Sequence, residues 1–194
     1  MLSLLDSLAV SFDLPILEWI QANLQSGFMD FIMPIITVFG DAGIFWMVCA
    51  ALLAIFPKTR RMGLGMGIAM AIGLVVCNMT LKPLVGRIRP YDFQMLHYGK
   101  EIALLIHEHG DFSFPSGHTI ASFEACVVLL LGDKRLGIPA TILAFLIAFS
   151  RLYLYVHYPT DVFASIILGT IFAFVGYALA GALLKKLPKG RYEA

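Results

Sequence analysis

Six apolar segments, separated by short breaks of glycine, proline and charge, decide most of what this chain can become. They run over about 28–39, 43–56, 62–81, 119–131, 138–155 and 162–184. A bilayer core asks for about 20 apolar residues per helical crossing. The third and sixth segments reach that length, whereas the first two are short and must extend into their flanks or tilt. Composition agrees: apolar residues make up 59% of the chain and charged residues 14%, against about 25% charged in soluble domains. A soluble domain of this length has too little interior to hide that apolar surface. The expectation is therefore an all-α, integral-membrane six-helix bundle forming a single domain over 1–194. An N-terminal interfacial helix precedes it at Pro15–Leu24, where apolar and polar residues alternate at helical spacing and Trp19 would sit at headgroup level.

The few charges are clustered. Lys58, Arg60 and Arg61 follow the second segment, Lys134 and Arg135 the fourth, and Lys185, Lys186, Lys189 and Arg191 the sixth. With six crossings these clusters share one face, which the positive-inside rule makes cytoplasmic. Both termini would then be cytoplasmic, and the stretch 82–118 and the turn 152–161 would face outward. These outer loops carry basic residues too (Lys82, Arg87, Arg89, Lys100, Arg151), so the charge rule taken alone is ambiguous. Their companions are Ser, His and Asp, which assigns them to a site. A net charge of +1 gives no field for nucleic acid. Cys49, Cys77 and Cys126 lie in apolar runs without metal spacing and read as packing residues. Asp6, Asp13 and the absence of a basic start make the N-terminal segment a poor signal peptide.

Three segments at the outer ends of the crossings carry the chemistry: Lys82 to Pro90, Pro115 to His118, and Ser150 to Asp161. Lys82, Arg89 and Arg151 can surround a phosphoryl group, Arg as a planar fork and Lys as a point charge. Ser116 is a natural N-cap, and a helix opening at Ser116-Gly117 aims free N–H groups at an anion. Gly117 leaves room for close backbone approach. His118 and His157 supply the nucleophile and the proton donor that phosphoryl transfer needs. Asp161 stands four residues after His157, and Pro159 suits the first turn of the last helix, so the carboxylate can hold the imidazole's tautomer. His118 has no acid close in sequence, which fits the donor role.

Lys-x6-Arg-Pro, Pro-Ser-Gly-His and Ser-Arg-x5-His-x3-Asp occur here in order and with unbroken spacing. In this the chain resembles the type 2 phosphatidic acid phosphatase family, whose fold is shared with vanadium-dependent haloperoxidases. The resemblance implies a six-helix fold and metal-independent hydrolysis, with no cofactor. It implies His157 as nucleophile, Asp161 as its orienting partner and His118 as general acid. It also implies Lys82, Arg89, Ser116, Gly117 and Arg151 as phosphate cradle. The partners implied are membrane lipids and a lipid phosphate substrate: a polyprenyl diphosphate such as undecaprenyl diphosphate, phosphatidic acid, or phosphatidylglycerol phosphate. Two alternatives stay open: a vanadate-dependent oxidation on the same constellation, and a non-catalytic protein that binds or transports lipid phosphate.

Other residues have plainer readings. Arg87 lies outside the pattern and reads as a snorkelling side chain. His107, Glu108, His109 and Asp111 lack metal-motif spacing and read as a solvated loop. Glu124, costly inside a crossing unless paired, takes either a structural hydrogen bond or a supporting role at the site. Phe145, Phe149, Tyr153 and Phe163 read as lipid-facing or packing aromatics.

Overall fold

The computed structural model describes residues 4–186, and among these every regular element is helical. The chain starts with α1 (Leu4–Leu8), widens into a π-type turn over Ala9–Asp13 and continues as α2 (Leu14–Leu24). Ser26 caps α3 (Gly27–Val38), its hydroxyl accepting from the Met29 N–H at 3.3 Å. The turn into α4 (Ile44–Ile55) is made by positive φ at Ala42 and Gly43, so the chain reverses without a long loop. α5 (Arg60–Gly73) runs on through a π-wound stretch, Leu74–Leu81, into α6 (Lys82–Val85). Gly86 in the left-handed region ends α6, and Pro90 opens α7 (Pro90–Tyr98). After a long irregular segment come α8 (Gly117–Gly132), α9 (Lys134–Tyr153) and α10 (Pro159–Lys185).

Among the described residues, four helical stretches are long and apolar enough to cross a membrane: Gly27–Ile55, Arg60–Tyr98, Lys134–Tyr153 and Pro159–Lys185. α8 is a shorter apolar helix. The expected first and second segments fall together in the first stretch, broken at Asp41–Gly43. Large apolar side chains such as Leu52, Val75, Ile142, Phe145, Phe163 and Phe174 point outward and are more than half exposed, as lipid-facing residues do.

The interior between helices is built from small residues. α10 packs on α5 and α8, α9 on α8, and α4 on α5. A Cβ on Gly176 would come within 2.5 Å of the Gly65 carbonyl oxygen, and one on Gly169 within 2.8 Å of the Ile120 carbonyl oxygen. Without a hydrophobic drive between helices in lipid, such close backbone contact supplies much of the packing energy. A second apolar cluster joins Leu14, Leu17 and Ile20 of α2 and Met33 of α3 to Tyr91, Phe93 and the turn Leu154–Tyr158. This cluster fixes the N-terminal helices against the end of the bundle where the three motif segments lie.

Candidate active site

The ends of α6, α8, α9 and α10 open on one cavity of about 760 Å³. Lys82, Arg89, Gly117, His118, Arg151 and His157 all line it. Residues up to 75 positions apart in the chain thus meet around one volume, as the sequence anticipates. Two of the expected site residues stand behind its wall. Asp161 backs His157, and Ser116 is fully buried, with its N–H donated to Ser165 Oγ at 2.8 Å and its hydroxyl 3.0 Å from Thr119 Oγ1. Ser116 does cap α8, as expected.

His157 follows the end of α9, in a turn where Tyr155 takes positive φ. Its Nδ1 faces Asp161 Oδ2 at 3.7 Å and Ser113 Oγ at 3.5 Å. Its Nε2 faces the cavity, with the nearest Arg89 guanidinium nitrogen at 3.3 Å. This arrangement puts the ring proton on Nδ1 and leaves the Nε2 lone pair toward the cavity. Burial first, then the charges of Arg89, Arg151 and Lys82, hold the imidazole pKa well below its ordinary value, so the ring is neutral and nucleophilic at neutral pH. α10 begins at Pro159, so Asp161 lies in its first turn, as the sequence anticipates, and accepts the Tyr158 N–H at 3.0 Å.

The support behind Asp161 was not legible beforehand. Arg87 does not snorkel. It is buried, donating to Asp161 Oδ1 at 2.5 Å and Asp13 Oδ2 at 2.7 Å, with its guanidinium 3.8 Å above the Tyr158 ring. Asp13 also accepts the Thr160 N–H at 2.9 Å. Ser113 donates its hydroxyl to Asp161 Oδ2 at 2.5 Å. The one available signal was Asp13 itself, a charge in an apolar helical run that calls for a partner.

His118 faces the cavity from the first turn of α8, and its Nε2 lies 2.8 Å from Asp41 Oδ1. The histidine expected as proton donor therefore has a carboxylate after all, brought from the turn before α4. Arg151 is buried and, among the described residues, has no carboxylate hydrogen-bonded to it. One terminal nitrogen donates to Thr37 Oγ1 at 2.5 Å, the other lies 2.7 Å from His109 Nε2, and Nε has no partner. A buried cation with no anion bonded to it can take an anionic ligand from the cavity it lines. At Gly117 a Cβ would meet only Asn78, at 3.5 Å. The protein therefore does not require glycine there, and the open side serves whatever occupies the cavity.

The loop is solvated at His107 and Glu108, as expected, whereas His109 is partly buried and Asp111 half exposed. The latter two turn into the cavity, and Asp111 pairs with Lys82 and Arg89. Burial raises the Asp111 carboxyl pKa, but hydrogen bonds from Lys82 and Arg89 outweigh it and hold the group well below the usual range. Burial, Arg151 and Arg89 push His109 down to about 4. No cluster able to hold a metal ion occurs among the described residues. Glu124 also lines the cavity, deeper in the bundle beside Gly73, and its Oε1 has no hydrogen-bond partner. Of the aromatics, Phe145 and Phe163 point outward, while Tyr153 is buried and donates to Asp30 at 2.6 Å.

Comparison with known proteins places this geometry. The profile of the PAP2 superfamily matches residues 58–184. The undecaprenyl-diphosphatase of Sulfolobus acidocaldarius is 32% identical over 167 residues, covering 86% of this chain and 77% of that protein. The lipid A 4'-phosphatase of Bacteroides thetaiotaomicron is 32% identical over 179 residues, covering 85% and 76%. Among solved structures, a transmembrane PAP2-type phosphatidylglycerolphosphate phosphatase from Bacillus subtilis superposes with a TM-score of 0.66 at 26% identity, covering 91% of this chain and 86% of its own.

Proposed function

The chain belongs to the PAP2 superfamily, and from that premise we propose that it is a multi-pass membrane phosphatase removing the terminal phosphate of a lipid phosphate or diphosphate. The observation that carries this reading is Arg151, buried and with no carboxylate hydrogen-bonded to it among the described residues, beside a neutral His157 in a cavity shared with Lys82, Arg89 and His118. Arg151, Arg89 and Lys82 hold the phosphoryl oxygens and offset the negative charge spread over them in the transition state. Gly117 leaves space beside them, and Ser116 fixes the helix end that carries Gly117 and His118. His157 Nε2 attacks phosphorus, forming the P–N bond as the bond to the leaving oxygen breaks. His118, held by Asp41, takes up a proton that this carboxylate and the charge of the bound phosphate favour, and gives it to that oxygen. Asp161 holds the Nδ1 proton and stabilises the charge that develops on the ring. Water then attacks the phosphohistidine. His118 takes the water's proton, the P–N bond breaks, and inorganic phosphate leaves.

The substrate is amphipathic, its head at the site and its tail in lipid. A polyprenyl diphosphate is favoured over phosphatidic acid or phosphatidylglycerol phosphate, on the strength of the similarity to an undecaprenyl-diphosphatase. Oxidation of halide has no observation of its own in this chain's favour. Phosphate release should be measured across a panel of lipid phosphates with EDTA present. Release from at least one lipid, blocked by vanadate and lost by several powers of ten in His157→Ala, is the expected result. Full activity in that variant, or activity abolished by EDTA, would sink the reading.

The site is proposed to face outward. Arg61, whose guanidinium lies 3.9 Å from the Tyr177 ring, and the adjoining ends of α8, α9 and α10 gather basic residues at the end of the bundle away from His118, Arg151 and His157, where the positive-inside rule puts the cytoplasm. α2 is proposed to lie in the interface, since Leu14, Leu17 and Ile20 face the bundle while Trp19 is 57% exposed. Six full crossings fit less well than five. α3 has 12 residues, about 18 Å at 1.5 Å each, and its two ends serve the same face: Asp30 holds Tyr153 and Thr37 holds Arg151. We therefore read α2 and α3 as a hairpin at the outer edge, with α4, extended α5, α8, α9 and α10 crossing. The expected cytoplasmic termini, Lys189 and Arg191 included, fall on residues 1–3 and 187–194, outside the described residues. Asp13 is anchored at the site end, so the start of α2 belongs with the outer face.

A further inference from the structure

The cations assigned to the cradle have partners within the protein itself. The Asp111 carboxylate takes Lys82 with Oδ2 and Arg89 with Oδ1 at 2.5 Å. The Arg89 Nε also donates to the Asp111 carbonyl at 2.9 Å. Two residues earlier in the same loop, His109 Nε2 meets the Arg151 guanidinium at 2.7 Å. One loop thus supplies a carboxylate and an imidazole to the three side chains assigned to phosphate oxygens. The loop is tethered on both sides of these groups. Tyr91 Oη donates to the His109 carbonyl at 3.0 Å, and the Ser113 N–H to the Arg87 carbonyl at 2.7 Å. Yet the Asp111 side chain is 52% exposed, whereas Asp161 is fully buried. Asp111 can leave for water without opening the core, and Asp161 cannot.

We propose that Asp111 is an internal anion that occupies the phosphoryl position between turnovers, yields it to the substrate phosphate and returns to displace inorganic phosphate. This rests on the phosphatase reading above and adds the release step to it. A cradle with three cations and no competing anion would hold the product dianion tightly. A carboxylate tethered beside it acts at an effective concentration in the millimolar range without being consumed. The cost falls equally on entry and exit, so every anion that uses the cradle binds more weakly by one common factor.

That common factor is the test. Binding of inorganic phosphate and of dimethyl phosphate, a monoanion that cannot be turned over, is measured calorimetrically on the full chain in detergent. Asp111→Asn should tighten both by roughly the same factor, about tenfold for a tether of this strength. Asp111→Glu, which keeps the anion, should stay close to the wild type. In turnover assays Asp111→Asn should show a lower KM and stronger inhibition by product phosphate. Weaker or unchanged phosphate binding in Asp111→Asn would mean that the carboxylate merely braces Lys82 and Arg89, and would overturn the proposal. So would a tightening for phosphate that is the square of that for dimethyl phosphate, which is the signature of lost through-space repulsion alone. In the wild type, saturating orthovanadate should raise amide hydrogen exchange around residues 109–113, and protection there would count against displacement whether or not the variants fold. Because these readouts need no lipid, a protein that releases phosphate from no lipid would defeat the phosphatase reading while leaving the binding result to stand or fall separately.

Discussion

Arg87 offers the sharpest check on how His157, the proposed nucleophile, is held. Its guanidinium lies between two carboxylates that are themselves fully buried, Asp13 and Asp161, at 2.7 and 2.5 Å. Replacing it with alanine leaves two buried acids without a counter-charge, which costs about 3–5 kcal/mol for a broken buried pair. At about 2–4 °C per kcal/mol for a chain of this size, the melting temperature in detergent should fall by roughly 6–20 °C. Arg87→Lys should recover only part of this. One ammonium cannot reproduce a fork that bonds Asp13 through one nitrogen and Asp161 and Thr160 through the other. Activity should fall beyond the loss of folded protein, because Asp161 would be free to turn from His157. The assay is a thermal melt in detergent paired with phosphate release per folded molecule. Lower pH should partly restore the Arg87→Ala melt by neutralising the stranded carboxylates. A melt within 2 °C of the wild type would refute the argument that this ion cluster is what holds the N-terminal helices and Asp161 together.

Two further outcomes follow from the site. His118→Ala should cost about 10²–10⁴ in kcat on a lipid substrate, the usual worth of general acid catalysis, and far less on p-nitrophenyl phosphate; equal losses on both would remove His118 from the acid role. The pH profile should carry the mark of the histidines: with the folded pKa of His157 depressed and that of His109 brought to about 4, the unfolded chain binds protons on these residues that the folded one refuses. Their contribution to stability is therefore intact above the ordinary histidine value of 6.5 and lost as pH falls below it. Melts recorded from pH 8 to 4.5 should decline below about 6.5, and a stability that rose on that descent would show the imidazoles to be cationic in the fold.

The motif residues were legible because each block is short and local. Pro159 and Asp161 share a helical turn with the end of the His157 loop, and Ser116 precedes a helix it can cap. Spacing alone states these relations. The ion cluster behind the nucleophile was not legible, because Asp13, Arg87 and Asp161 stand 74 residues apart in each step and belong to no common pattern. Asp41 was missed for the same reason, as an acid near in space to His118 and distant in sequence. His109 and Asp111 misled more subtly. A polar loop in an apolar chain reads as solvated, and only the fold shows these two turned inward over the cations.

Hydropathy and spacing by themselves determined that this chain is helical, that it lives in a membrane, and that the three motif segments lie at the ends of its helices. Those properties depend on how each segment meets water or lipid and on residues within a few positions of one another. Tertiary structure alone decided which acid pairs with which cation, that both ends of α3 bond to the end of α9, and that Asp111 pairs with Lys82 and Arg89. Such choices depend on distances between helices, set by glycine-to-backbone contacts such as Gly176 on Gly65, and no one-dimensional pattern encodes them.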